Sequence, residues 1–139
     1  MENIDNRDSH IAIVLAPDLA FGIAANCTAN LMSGLAATHP EILGPPLRDA
    51  EGHEFPGIAK VPSAILLAKN LRLEDIYLRC AAEGVFAVVF FAEALRLRSY
   101  MEYISIVAGK PLAGLTILGV GMFGKRDKVR KISGSLPLA

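Results

Sequence analysis

The chain has 139 residues, 53% of them hydrophobic and 20% charged, a composition that excludes a disordered segment and fits one packed domain. Its 14 basic and 14 acidic residues cancel, so no net field draws in nucleic acid or an anionic membrane. The balance conceals an asymmetry: residues 1–58 carry eight acids and two bases, and residues 59–139 carry twelve bases and six acids.

In chain order, residues 1–9 are polar and read as a flexible tail, leaving 10–139 as a single domain. The acidic start is not a secretory signal. Ile11 to Ala16 is continuously apolar, as expected of a strand buried on both faces, and Pro17 stops it. A helix follows from about Gly22 to Ala37, with Ile23, Cys27, Leu31 and Leu35 spaced as an inward ridge. His39-Pro40 ends it. Leu47 to Ile58 reads as a hairpin turning at Asp49-Ala50-Glu51-Gly52. Ala64 to Ala68 is a second buried strand. Asn70 is placed to cap a helix running to Glu83, which Gly84 terminates.

Val85 to Phe91 is the third strand. Glu93 to Val107 has helical periodicity, with Leu97, Tyr100, Met101, Ile104 and Val107 on one side. Leu112 to Val120 reads as a fourth strand, Lys125 to Ile132 as a basic helix stopped by Gly134, and Ser135 to Leu138 as an extended tail. The longest uncharged run, Pro111 to Gly124, is too short and too rich in glycine to span a bilayer. Cys27 and Cys80 both fall in helical patterns and read as buried free thiols of a cytoplasmic protein. The alternation of strands and helices predicts an α/β fold, a three-layer α/β/α sandwich with a mixed four-stranded sheet.

Several strings resemble the type II peptidyl-tRNA hydrolase fold, and most of all its uncharacterised bacterial relatives of unknown function. The hydrolases run from an apolar strand through Asp-Leu and a Met-Gly turn into a helix opening Ala-Ala-Gln-Cys. This chain has Asp18-Leu19-Ala20-Phe21-Gly22 and then Ala24-Ala25-Asn26-Cys27. Lys128-Val129 followed by Gly134-Ser135-Leu136 is similar to the family's closing helix and strand. The resemblance implies that fold over nearly the whole chain and a site at the strand ends. It also implies a changed chemistry. No lysine lies between Asp18 and Asn26, Ala29 stands where the hydrolases have histidine, and Phe91-Ala92-Glu93-Ala94 replaces their Arg-Asp-Ala-Gly.

The candidate catalytic residues are Asp18, just past a strand end, and Glu93, which could act as an acid/base pair if they converge. Each also has a structural reading: Asp18 as a helix or turn cap, Glu93 as a first-turn acid favourable to a helix dipole. Asn26 and Thr28 are candidate ligand contacts on the first helix. Gly119-Val120-Gly121-Met122-Phe123-Gly124 has the spacing of a dinucleotide fingerprint, but only fifteen residues follow it, too few for the crossover and partner strand such a site needs. What remains is a weaker expectation, a glycine connection in which Gly121 and Gly124 lead to Lys125 and Arg126 and hold a phosphate.

Lys125, Arg126, Lys128, Arg130 and Lys131 could touch an RNA backbone, though a solvated helix face is the plainer reading. The three histidines show no metal-ligand spacing, and no cofactor is indicated. Three functions follow: a domain binding a small-molecule, nucleotide-like or phosphate-bearing ligand at the strand ends; a hydrolase of peptidyl-tRNA or another ester using Asp18 and Glu93; and a homodimeric interaction module built on the helix after Glu93.

Overall fold

A computed structural model describes residues 8–139; the expected N-terminal tail lies, but for Asp8 and Ser9, outside the described residues. Strand β1 (Ser9–Leu15) is central, and Ile11 to Leu15 are at most 3% exposed. That is why its sequence is a continuous apolar run: alternate residues enter cores on opposite faces. Ile11, Ile13 and Leu15 meet helix α1 (Phe21–Thr38), whereas Ala12 and Val14 join the core beneath helices α2 (Leu73–Glu83) and α4 (Arg126–Ser133).

The remaining elements are the hairpin β2 (Leu47–Arg48) and β3 (Glu54–Phe55), strands β4 (Ser63–Leu67), β5 (Phe86–Phe91) and β6 (Ile117–Lys125), and helix α3 (Tyr100–Ala108). The main sheet is mixed and four-stranded in the order β4-β1-β6-β5. Strand β1 runs parallel to β4, and β6 runs antiparallel to both β1 and β5.

Three predicted elements differ from those observed. The fourth strand was expected over Leu112 to Val120, with the glycines after it as a connection. Instead Leu112–Gly114 is a 3-10 turn and β6 carries all three glycines within the sheet. The reason is steric. A Cβ on Gly119 would stand 2.7 Å from Cys27 Sγ and 3.0 Å from Leu31 Cδ1, and one on Gly121 would stand 3.1 Å from Ile13 Cδ1 and 3.2 Å from Leu31 Cβ. Gly119 and Gly121 are where α1 presses on the sheet, whereas Gly124 faces Val85 and Val129 at ordinary contact distance.

The helix expected from Glu93 to Val107 is broken. A 3-10 turn spans Ala92–Arg96, Leu97 is extended, and α3 starts afresh after Ser99, whose hydroxyl accepts the Glu102 N–H at 3.2 Å. Periodicity does not register a capping serine inside an apolar pattern. The expected inward side of this helix is also largely outward, with Tyr100, Met101 and Ile104 exposed. Finally, α2 begins at Leu73 rather than at an Asn70 cap. Its N-terminal residue Arg72 makes no side-chain cap, and Glu74 and Asp75 supply negative charge to the first turn instead. Gly84 ends α2 at φ +70, as expected.

The C-terminal segment has a definite task. Leu67 donates to the Pro137 carbonyl and Ala139 to the Ile65 carbonyl, each at 3.0 Å, so the segment covers the outer edge of β4.

The close approach of α1 yields a paired expectation. Gly119→Ala should destabilise the fold by about 1–3 kcal/mol through overpacking. Gly22→Ala, on α1 with nothing within 4 Å of a new Cβ, should be neutral or stabilise by up to about 1 kcal/mol. Urea titration of both variants measures the difference.

Candidate functional site

The topology brings four chain segments to one end of the sheet. Strands β1, β4 and β5 finish there, at Leu15, Leu67 and Phe91, and β6 starts there between β1 and β5. Past the strand ends lie Pro17 and Asp18, Leu71 and Arg72, and Ala92 and Glu93. Ligands of open α/β sheets favour the carboxyl ends of parallel strands such as β1 and β4.

Thr116 is the junction of this end. Its carbonyl accepts the Ala92 N–H at 2.7 Å, and its own N–H is held by the Glu93 carboxylate, at 3.1 Å to Oε1 and 3.4 Å to Oε2. Two cavities meet at it. One, of about 400 Å³, lies between Pro17, the start of α2 and Leu115–Ile117. The other, of about 340 Å³, is bounded by Ala92, Glu93, Leu95, Arg96, Lys110 and Thr116. In the first, Arg72 is already paired with Glu74 at 3.1 Å. In the second, Arg96 and Lys110 have no carboxylate within ion-pair reach among the described residues. Two cations without an ion-pair partner, set against the single carboxylate of Glu93, thus face a concave, partly apolar space.

Asp18 does not take the expected cap. Helix α1 starts after Ala20 with no side-chain cap and no acid in its first turn. Asp18 is exposed and sits at φ +63, a left-handed conformation that aspartate tolerates better than most residues. Glu93 lies in the 3-10 turn after β5, bonded to Thr116, instead of opening a long helix. The two carboxylates are therefore at the same end of the sheet, yet neither cavity at Thr116 is lined by both.

Asn26 and Thr28 are on α1 and line neither of these cavities. Asn26 accepts from Asn30 Nδ2, at 2.9 Å through its carbonyl and 3.3 Å through Oδ1, and the Thr28 hydroxyl donates to the Ala24 carbonyl at 2.9 Å. Gly121 and Gly124 belong to the β6 ladder, opposite Ile13 and His10, and so form no phosphate-cradling loop. Lys125 is opposite Ser9, at the other end of the sheet from Gly119 opposite Leu15. Six strand steps separate those pairs, about 20 Å. Lys125 and Arg126 line a separate cavity of about 490 Å³ with Asp8 and Asp127, two bases with two acids.

The rest of the basic helix is partly committed. Lys131 pairs with Glu83 at 2.9 Å, Lys128 donates to the Glu83 carbonyl at 3.3 Å, and Lys131 holds the Glu83 carboxyl below its ordinary range. Val129 and Ile132 are core residues. Among the described residues, no three histidine, cysteine or acidic side chains gather as a metal site, and no helix is long and apolar enough to cross a membrane.

Thr116, Arg96, Lys110 and Arg72 were not singled out from the sequence. Thr116 is the only hydroxyl residue in the long apolar run, which was the one available signal. The two bases lie 14 positions apart on either side of α3 and meet only through the fold.

The molecule is thus a mixed α/β domain with a cavity lined in part by basic residues at each end of its sheet, that at Thr116 adjoined by a second cavity. Residues 9–139 match a family described as protein of unknown function (DUF2000), and the chain belongs to that family. It is similar in structure to a protein of unknown function from Agrobacterium tumefaciens strain C58, with a TM-score of 0.85 and 25% identity over 95% of this chain and 98% of that one. No curated protein matches it.

Burial pushes the thiols of Cys27 and Cys80 up to about 11, which leaves about a hundredfold less thiolate than an ordinary cysteine presents at neutral pH. Both should resist iodoacetamide in the native protein and react in denaturant, read by mass spectrometry. Because the folded state favours the protonated thiols, their contribution to stability is full below the unfolded thiol range. It should fade as the pH rises towards 11.

Proposed function

We propose that this domain binds a small anionic ligand of phosphate-ester or nucleotide character at the sheet end around Thr116. One observation carries the reading: two cavities meet there, and the second presents Arg96 and Lys110 without carboxylate partners. A guanidinium and an ammonium on one rim suit a phosphate, which the first binds in a fork and the second as a point charge. Pro17, Leu71 and Leu73 offer apolar surface in the adjoining space for a larger body. Asp18, exposed just past Pro17, lines neither cavity and would meet only a ligand that extends beyond Pro17. Asn26 and Thr28, on α1, have no part in this version of the site.

Kinship with the type II peptidyl-tRNA hydrolases, and with their three-layer sandwich, belongs to the same reading. It is supported by Asp18-Leu19 at the end of β1, by Ala24 to Cys27 at the start of α1, and by helices on both faces of a mixed sheet. Two buried, unpaired thiols suit a reducing compartment such as the cytoplasm. Ester hydrolysis is the weaker alternative. Asp18 and Glu93 line no common cavity, Glu93 is engaged by the Thr116 N–H, and the buried thiols are poor nucleophiles. An RNA backbone is a weaker ligand, because Lys128 and Lys131 are tied to Glu83.

Binding of pyrophosphate and of adenosine monophosphate, followed by calorimetry, tests the proposal. Arg96→Ala and Lys110→Ala should each weaken binding about tenfold, the loss of one charge-assisted hydrogen bond. Lys125→Ala with Arg126→Ala should leave it unchanged. Absence of binding by wild-type protein, or loss only in the second pair, would overturn the reading. Release of peptide from peptidyl-tRNA that is lost in Asp18→Ala would favour the hydrolase.

A further inference from the structure

The two outer strands of the sheet are treated differently. The β4 edge is closed by the chain's own Pro137–Ala139. The β5 edge is open: β5 is last in the sheet order, and among the described residues no strand but β6 pairs with it. Open edges are ordinarily protected by lysine, proline or a bulge on the edge strand itself, or by a covering element. Val85 to Ala92 contains no charge and no proline. Its residues are apolar like those of β1, yet most of β5 is only half-buried.

The free hydrogen-bonding groups can be assigned. Ala92 donates across to Thr116 on the β6 side, while Phe91 donates outward to the Tyr103 hydroxyl at 3.2 Å. Alternation along a strand then turns Val89 and Ala87 outward and Phe90 and Val88 toward β6. Phe91 is already satisfied by Tyr103, which leaves Ala87 and Val89 as the unpaired segment. Beside it runs a cavity of about 250 Å³ bounded by Asn30, Ser33 and Gly34 of α1, Val88 to Phe90 of β5, and Tyr100 and Tyr103 of α3. None of these residues is charged. Leu95, Tyr100, Met101 and Ile104, all exposed, follow β5 in the chain and extend the apolar surface.

We infer that a second copy of this chain pairs with the β5 edge, strand antiparallel to strand about a two-fold axis near Val88, to make one continuous eight-stranded sheet. Two-fold symmetry sets each patch against itself, so the centre of a self-pairing surface must be free of like charge; the β5 edge and the cavity beside it are uncharged, and the charges of the adjoining surface, Arg96, Arg98 and Glu102, lie outside that cavity. Ala87 of one copy then faces Val89 of the other, and the two pairs exchange about four backbone hydrogen bonds. A short strand pair alone falls below the roughly 800 Å² per partner of a stable interface. The exposed side chains of α3 and the turn before it provide the further apolar area.

Sedimentation equilibrium of wild-type protein, Val89→Pro and Tyr100→Glu tests the inference. Proline at an edge position with an outward N–H is compatible with the strand and removes the donor. Glutamate at Tyr100 is a surface change that sets like charges across the axis. Wild-type protein should be a dimer. Val89→Pro, shown to be folded by circular dichroism, should be a monomer, and Tyr100→Glu should weaken the dimer by about tenfold or more, one like-charge pair. If Val89→Pro fails to fold, Tyr100→Glu decides alone. Wild-type protein that stays monomeric at high concentration overturns the inference and leaves the edge to a foreign strand; so does a dimer that Tyr100→Glu leaves unchanged.

Discussion

Helix α1 rests on the sheet with almost nothing between them, and the other parts of the molecule are arranged around that contact. Gly119 and Gly121 of β6 admit Cys27 and Leu31 from the helix, and Gly34 of the helix admits Val88 of β5, whose Cγ1 would stand 2.9 Å from a Cβ there. Close-packed interiors respond to a single extra methylene. These three positions therefore set the height of the helix above the sheet. They explain a helix built largely of alanine, glycine and serine, and they seal the Cys27 thiol where its ionisation is suppressed.

That height has consequences at the edges. With α1 drawn down over β6 and β5, the segment after β5 can reach back so that Tyr103 binds the Phe91 N–H and packs against the Phe91 ring at 6.5 Å between centroids. Glu93 is then positioned to hold the Thr116 N–H, which fixes where β6 enters the sheet. The cavities at Thr116 are in this sense a product of how β5 leaves and β6 enters. The Glu93 carboxylate, a candidate acid or base from the sequence, holds this junction together.

The strongest parts of the fold were legible because their patterns have a single physical cause. Ile11 to Leu15 is a continuous apolar run, Gly84 follows a helical pattern and precedes an apolar strand, and Asp49 to Gly52 has turn chemistry between two short extended segments. The failures share a different origin. A glycine chosen to let another element approach cannot be told, in one dimension, from a glycine chosen to let the chain turn. Gly121 and Gly124 therefore read as a connection after the strand when they lie in the central ladder. The register carries Lys125 about 20 Å from the end of the sheet where Asp18 and Glu93 lie. Arg96 and Lys110 were invisible for the opposite reason: nothing local marks two bases that meet only after α3 has folded between them.

The two ends of the sheet thus differ in character. At Lys125 two bases share their cavity with two acids, Asp8 and Asp127, whereas the second cavity at Thr116 sets two bases against Glu93 alone, whose carboxylate is engaged by the Thr116 N–H. The most direct test of the account is a heteronuclear NMR titration of the wild-type protein with pyrophosphate. The account predicts amide shifts concentrated at Thr116, Glu93, Arg96 and Lys110, spreading to the residues around Arg72, with Ser9 and Lys125 unmoved. Shifts centred on Lys125 to Lys128, or none anywhere at saturating ligand, would contradict it.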